Sequence, residues 1–147
     1  MKYKYKNIVE VIIRAVVFDN NKILICRSKK HGNYFLPGGH LEFNEKIEKA
    51  IKREFKEELN IEVKKITFIG VADNIYIEEG QRRHEINLVF KTEVKKIKTK
   101  SQEGHIEFAL FSKEQFMKEK IYPIALKKQI LKWLKDKKIF WVSQFDK

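Results

Sequence analysis

Between residues 39 and 61 the chain reads Gly39-His40-Leu41-Glu42-Phe43-Asn44-Glu45-Lys46-Ile47-Glu48-Lys49-Ala50-Ile51-Lys52-Arg53-Glu54-Phe55-Lys56-Glu57-Glu58-Leu59-Asn60-Ile61. From Glu45 to Leu59 there is neither glycine nor proline, apolar residues recur at Ile47, Ala50, Ile51, Phe55 and Leu59, and Asn44 is placed to cap an N-terminus. The spacing predicts a helix over 45–59. Unrolled at about 100° per residue with Glu54 at zero, Ile47, Ile51, Phe55 and Leu59 fall at about 20, 60, 100 and 140°. Lys46, Lys49, Lys52 and Lys56 fall at about 280, 220, 160 and 200°, which makes a solvated lysine face. Glu54, Glu57 and Glu58 fall at about 0, 300 and 40°, inside or beside the apolar stripe that must turn toward the protein body.

Side chains three or four positions apart on a helix have Cβ atoms only ~5–6 Å apart. At an effective dielectric of ~20, two carboxylates at that spacing repel by about 3 kcal/mol, before any cost of leaving water. Folding alone does not favour three of them there. Either Arg or Lys side chains from neighbouring strands neutralise them, or a divalent cation does, and carboxylate oxygens suit Mg²⁺ or Mn²⁺.

The flanking sequence supplies strands and a second helical region. Residues 8–18 are rich in β-branched residues, end in Asp19-Asn20-Asn21, and are followed by Ile23-Leu24-Ile25-Cys26, which together predict a β-hairpin. Tyr34-Phe35-Leu36-Pro37-Gly38-Gly39 brings one of two prolines against two glycines and predicts a loop of special backbone geometry. Strand-like runs follow at 61–71, 74–77, 84–94 and 105–111, with 78–83 as a hairpin loop. Ser112 and Gln115 form a capping-box pattern for a short helix. Leu126, Ile130 and Leu134 at i, i+4, i+8 predict a helix over 123–136, with Pro123 in its first turn. Ile139-Phe140-Trp141-Val142 is too apolar to be a free end. With no repeat or linker, the reading is one α+β domain over residues 1–147.

Composition narrows the classes of function. The single cysteine, Cys26, excludes an intramolecular disulfide framework and a cysteine-based zinc site, and four scattered histidines lack H-E-x-x-H spacing. No apolar run approaches the ~20 residues of a membrane span, and Met1-Lys2-Tyr3-Lys4-Tyr5-Lys6 opens no signal-peptide pattern, so a cytoplasmic protein without a membrane partner is expected. The net charge of +12 is concentrated in residues 91–100 and 113–138, and 27 of the 32 basic residues are lysine. Such a surface attracts phosphates or RNA, although dispersed lysines commonly serve solubility.

The quoted stretch closely resembles the Nudix box, G-x5-E-x7-R-E-U-x-E-E-x-G-U with U bulky and apolar. Eight of nine specified positions match, and the exception is Asn60 in place of glycine, a residue that tolerates the left-handed cap. The resemblance implies a Nudix fold, a mixed β-sheet sandwiched between α-helices with the box as loop-helix-loop. It also implies hydrolysis of a pyrophosphate linkage in a nucleoside diphosphate joined to another group, using Mg²⁺ or Mn²⁺, with more than one ion per site once substrate is bound. Carried over by position, Glu54, Glu57 and Glu58, with the carbonyl of Gly38, are expected metal ligands. Glu54 or Glu57 is the expected base, Arg53 holds the carboxylates, and Glu45 is structural. An acid before the last strand completes the site in many members; Glu103 is the first candidate and Glu107 the second.

For the substrate, Arg27 suits phosphate because guanidinium binds it in bidentate fashion, with Lys29, Lys30 and His31 as weaker neighbours. Gly39, His40, Phe35 and Arg83 are further substrate-binding candidates, and Arg82, His84 and Tyr76 are weaker ones. Pro37-Gly38-Gly39-His40-Leu41-Glu42-Phe43 most resembles members that convert nucleoside triphosphates, including modified ones, to monophosphate and pyrophosphate. The proline-containing signatures of the ADP-ribose and NADH branches are absent. The alternatives are an RNA 5′-end pyrophosphohydrolase, a dinucleoside polyphosphate hydrolase, and a non-catalytic nucleotide or RNA sensor on the same fold. A sensor is expected to lose box glutamates, and here all are present. A small nucleotide is thus the favoured partner over RNA, and a homodimer is compatible with the sequence.

Overall fold

The computed structural model describes residues 7–145; the reading of the first six residues as free of a leader signal lies outside the described residues. The elements are β1 (Val9–Val16), β2 (Phe18–Asp19), β3 (Lys22–Ser28), β4 (Tyr34–Phe35), β5 (Gly38–His40), α1 (Ile47–Leu59), β6 (Val63–Glu78), β7 (Gln81–Val94), β8 (Ile106–Ser112), α2 (Lys113–Lys118), β9 (Ile121–Tyr122), α3 (Ile124–Asp136) and β10 (Phe140–Phe145). No described helix is long and apolar enough to cross a membrane.

The strands form two mixed sheets. One has the order β10-β6-β7-β1-β5, with β1–β7 and β10–β6 parallel; the other runs β2-β3-β4-β9, with β8 along the opposite edge of β3. The burial pattern follows the pleat. Ala15, Leu24 and Phe90 point into a core covered by Ala50, Ile51, Phe55 and Leu59 of α1. Their chain neighbours Val16, Ile25 and Val89 point into a second core covered by Leu126, Ile130 and Trp133 of α3. The strands are therefore the middle layer between two helices, and each fully buried Ile, Leu or Phe contributes roughly 1.5–3 kcal/mol.

Three expectations about the strands and their connections change. Residues 8–18 do not make a hairpin with 23–26: β1 pairs with β5 and β7, and only Phe18-Asp19 folds back on Lys22-Ile23. The run is apolar on both faces because it serves both cores, and such a strand belongs in a sheet interior rather than a two-stranded ribbon. The runs 61–71 and 74–77 are one strand, β6, paired antiparallel with β7, and the turn between them is only Glu79-Gly80, with φ of 49° and 75°. Pairing is broken at Leu36-Pro37 but resumes at once, as Gly38–His40 moves from the second sheet to the edge of β1. Gly38 has φ 143°, and a Cβ there would collide with the carbonyl of Ile13.

The helix ends are also specific. α1 begins at Ile47 with Lys46 as its uncapped N-cap residue, because Asn44 adopts the left-handed conformation (φ 64°) in the preceding turn. Asn60 takes the αL cap expected of it, with φ 52° and ψ 43°, and its N–H donates to the carbonyl of Lys56 at 3.1 Å. The Ser112–Gln115 capping box is formed in both directions, at 3.2 and 2.9 Å. Residues 140–145 add β10 to β6, and Phe140 and Val142 pack on the core under α3, while Ile139 and Trp141 of the apolar tail stay exposed.

Candidate active site

Arg53 organises the acidic face of α1. Its Nε and Nη2 donate to both carboxylate oxygens of Glu45 at 2.7 and 3.0 Å. Nη1 donates to Glu54 at 2.9 Å and to Glu57 at 3.4 Å, and Nη2 also reaches the carbonyl of His40 at 3.2 Å. The rigid guanidinium fork thus joins the loop before the helix to the two carboxylates on it, a task for which lysine lacks the geometry. Glu45 is held below the usual carboxylate range by this hydrogen bond, which agrees with a structural role.

Glu54 and Glu58 come together as the helical wheel requires. Glu58 is pushed up to about 9, first by burial and then by the charge and hydrogen bond of Glu54, with Glu103 adding to it. Glu103 comes from the segment between β7 and β8, which the main-chain N–H of Gln102 fastens to the carbonyl of Glu58 at 2.7 Å. Glu107, the second candidate, instead faces Arg27 across the β3–β8 pair, 3.6 Å away. Glu57 is more exposed than Glu54 and Glu58, and its ion-pair partner is Arg53. Among the described residues no three acidic, histidine or cysteine side chains are closed around one point. The reason is visible in the contacts: Arg53 draws Glu54 and Glu57 to one side, while Glu58 leans on Glu54. The donors are hard carboxylate oxygens with more negative charge than Arg53 can offset, which is the set that Mg²⁺ or Mn²⁺ accepts.

Gly39 lies directly against this cluster, and a Cβ on it would collide with the Glu54 carboxylate. The other substrate candidates fall into two groups. Arg27 is half exposed, donates to the Gly32 carbonyl at 3.3 Å, lies 6.0 Å from the centroid of the Tyr34 ring, and among the described residues has the long contact to Glu107 as its ion pair, so its guanidinium is open to an anion. Phe35 packs against the core beneath α1, with the Arg14 guanidinium 5.7 Å from its ring. His40 and Arg83 are committed to a residue that the sequence did not single out, Glu10. The His40 Nε2 lies 2.9 Å from it, and Arg83 contacts it at 2.7–3.0 Å from β7 rather than from a loop. Burial works against the Glu10 carboxylate, but Arg83 and His40 hold it below its ordinary range. A cleft of about 1280 Å³ opens along Glu10, His40, Phe43, Ile75, Arg83 and His84.

Sequence reasoning also passed over Arg14. Its side chain is half-buried, donates to the Asn87 Oδ1 at 3.2 Å and to the Leu36 carbonyl at 3.0 Å, and so anchors the backbone two residues before Gly38. Burial lowers its proton affinity, and Glu85, Cys26, Tyr76 and Glu58 oppose that. Tyr76 donates to Glu85 at 2.6 Å and is raised, first by burial and then by this bond. The available signal was Arg14 itself, a charge interrupting the apolar run Val11-Ile12-Ile13-Arg14-Ala15-Val16-Val17.

Comparison with known proteins gives the family and the fold. The chain is 33% identical over 87 residues to an ADP-ribose pyrophosphatase of Methanocaldococcus jannaschii, a match covering 57% of this chain and 50% of that protein. It is 41% identical over 68 residues to an NAD-capped RNA hydrolase, NudC, of Vibrio atlanticus, covering 45% and 25%. The chain thus spans half or less of the length of these curated relatives. The crystal structure of a MutT protein from Bacillus halodurans superposes with a TM-score of 0.72 at 18% identity, over 92% of this chain and 90% of that one, a likeness of fold. The model of the NUDIX domain matches residues 10–134, and with the box helix, its Arg53 clamp and the two-sided sandwich in place, the chain belongs to the Nudix family.

Proposed function

We propose that this chain is a divalent-metal-dependent pyrophosphohydrolase acting on a nucleoside diphosphate linked to another group, with a nucleoside triphosphate, plain or modified, as its substrate. The observation that carries the reading is the gathering of Glu54 and Glu58 on α1, with Glu103 beside them, under one guanidinium already shared among Glu45, Glu54 and Glu57. Glu54 and Glu57 share their cation, and Glu58 has no ion-pair partner among the described residues.

Glu54, Glu57, Glu58 and Glu103, with the carbonyl of Gly38, would hold Mg²⁺ or Mn²⁺, which when bound supplies charge neutralisation for the phosphates and a more acidic attacking water. The protein's own groups do the rest. Arg53 fixes the carboxylates, and Arg27 takes a phosphate in bidentate fashion. Glu57, with Arg53 at 3.4 Å as its ion-pair partner, keeps oxygen lone pairs for the proton of the attacking water, with Glu54 as the other candidate base. Water adds to one phosphorus, the bridging P–O bond breaks, and the products are a nucleoside monophosphate and pyrophosphate.

A second reading, ADP-ribose as substrate, is favoured by the name of the M. jannaschii relative. One panel separates the two: nucleoside triphosphates, dinucleoside polyphosphates, ADP-ribose, NAD-capped and triphosphorylated RNA, assayed with Mg²⁺ and with products resolved. Pyrophosphate released from a triphosphate at the highest kcat/KM supports the first reading; AMP and ribose 5-phosphate as the preferred products support the second. Unchanged turnover in Glu57→Gln and Glu54→Gln would refute the site itself.

A further inference from the structure

The lysines that the sequence scatters are partly gathered by the fold. Lys52 and Lys56, from the outward face of α1, and Lys95, Lys96 and Lys98, from the stretch after β7, line one concavity of about 600 Å³. The two segments are far apart in sequence, so only the tertiary structure brings these five lysines to one cleft. Glu62 is the single acidic residue in the lining.

Local structure accounts for some of this charge. Lys98 donates to the Asn60 carbonyl at 3.1 Å and Lys56 to the Asn60 side chain at 2.6 Å, as expected at a helix C-terminus. Lys95 pairs with Glu62 at 2.9 Å, and Lys52 turns to Glu48 at 2.9 Å. Lys96 makes no hydrogen bond or ion pair with its side chain among the described residues. Exposed pairs of this kind are weak and exchange readily, so the cleft keeps a positive surplus that the helix terminus does not require.

We propose that this cleft is an oligophosphate-binding site, separate from the carboxylate face of α1. Lysine ammonium groups bind phosphate as point charges, and a hollow lined by five lysines, two of them held only by exposed pairs to Glu62 and Glu48, matches an anion carrying several charges. No aromatic side chain lines the cleft, so there is no platform on which the bases of a single strand would stack, and the phosphates themselves are what is recognised. Lys52 and Lys56 lie about 160 and 200° around the helix from Glu54, so an anion here does not reach the carboxylates. It bridges α1 to the segment that ends in Gln102 and Glu103. The proposal does not depend on which substrate the carboxylate face hydrolyses.

The test is calorimetric titration of inorganic pyrophosphate at low ionic strength in EDTA, which removes binding through divalent metal. Wild type and Glu57→Gln should bind one equivalent with the same Kd. Lys52→Gln/Lys96→Gln should bind at least tenfold more weakly with an unchanged melting temperature. ADP in a parallel arm names the source: equal affinity points to free pyrophosphate, tighter binding lost in the lysine variant to a nucleotide. Absence of binding to wild type, or binding that Glu57→Gln abolishes and the lysine variant keeps, would overturn the proposal. So would far tighter binding of a 5′-hydroxyl oligonucleotide that the lysine variant loses, since that result makes the cleft a nucleic-acid track.

Discussion

Gly39 and Glu54 are in contact across the mouth of the box helix: the space where a side chain at 39 would begin is filled by the Glu54 carboxylate. The glycine is needed there for proximity, since it is not one of the residues with positive φ.

Gly39→Ala therefore tests the placement of Glu54 without straining the backbone. The carboxylate sits at the end of a flexible side chain and can swing away, so the fold should survive. With the substrates of the panel, kcat should fall by about 10- to 100-fold, the scale of an ångström-sized misplacement, with a nearly unchanged melting temperature. Full activity would mean that Glu54 is not held where the reaction occurs.

Glu58→Gln should reveal the strain of the acidic cluster. With Glu58 at about 9 in the folded chain and near 4.5 unfolded, the folded state keeps a proton that the unfolded state lacks between those values. Stability of the metal-free protein must then fall as pH rises through that window and be unaffected below it. The Gln variant loses this slope, and at pH 8 in EDTA it should melt higher than wild type by at least about 3 °C, the equivalent of ~1 kcal/mol in a chain of this size. Its activity should drop by ~100-fold or more. Thermal melts from pH 4 to 9 decide the sign.

Arg53→Lys keeps the charge and loses the fork. One ammonium cannot serve both oxygens of Glu45, the Glu54 carboxylate and the His40 carbonyl at once. We expect kcat to fall by at least ~10-fold with KM within ~3-fold if Arg53 acts, as proposed, by positioning the carboxylates. A change confined to KM would assign it to substrate binding instead.

Mg²⁺ or Mn²⁺ should raise the melting temperature in proportion to the logarithm of its concentration above Kd, EDTA should reverse this, and the effect should be lost in Glu57→Gln/Glu58→Gln. Calorimetric melts with and without the ion measure it. An identical rise in that double variant would place the ion elsewhere.

Cys26 is buried in β3, and burial, followed by the charge of Glu58, pushes its thiol well above its ordinary value. It should not react with Ellman's reagent at pH 8 while the chain is folded, and one thiol per chain should react after unfolding in guanidinium. Rapid labelling of the native protein would show that β3 opens.

The box helix and the side of it that carries the carboxylates were legible along the chain. Periodicity placed Ile51, Phe55 and Leu59 on the core side and Glu54 and Glu58 beside them, because a helix is a local structure whose faces follow from spacing alone. The same holds for the Asn60 cap and the Ser112–Gln115 box, each made within a few residues. Tertiary structure decided what depended on distant partners. Residues 8–18 carried no signal that β1 would choose β5 and β7 over β3, since a run apolar on both faces fits any interior position in a sheet. Glu10, Arg14 and Arg83 meet their partners across up to 73 positions of sequence, and a charge in a strand says nothing about which residue lies on the next one. The same applies to the lysines at 52, 56, 95, 96 and 98, dispersed when read along the chain and lining one cleft once α1 has packed on the sheets.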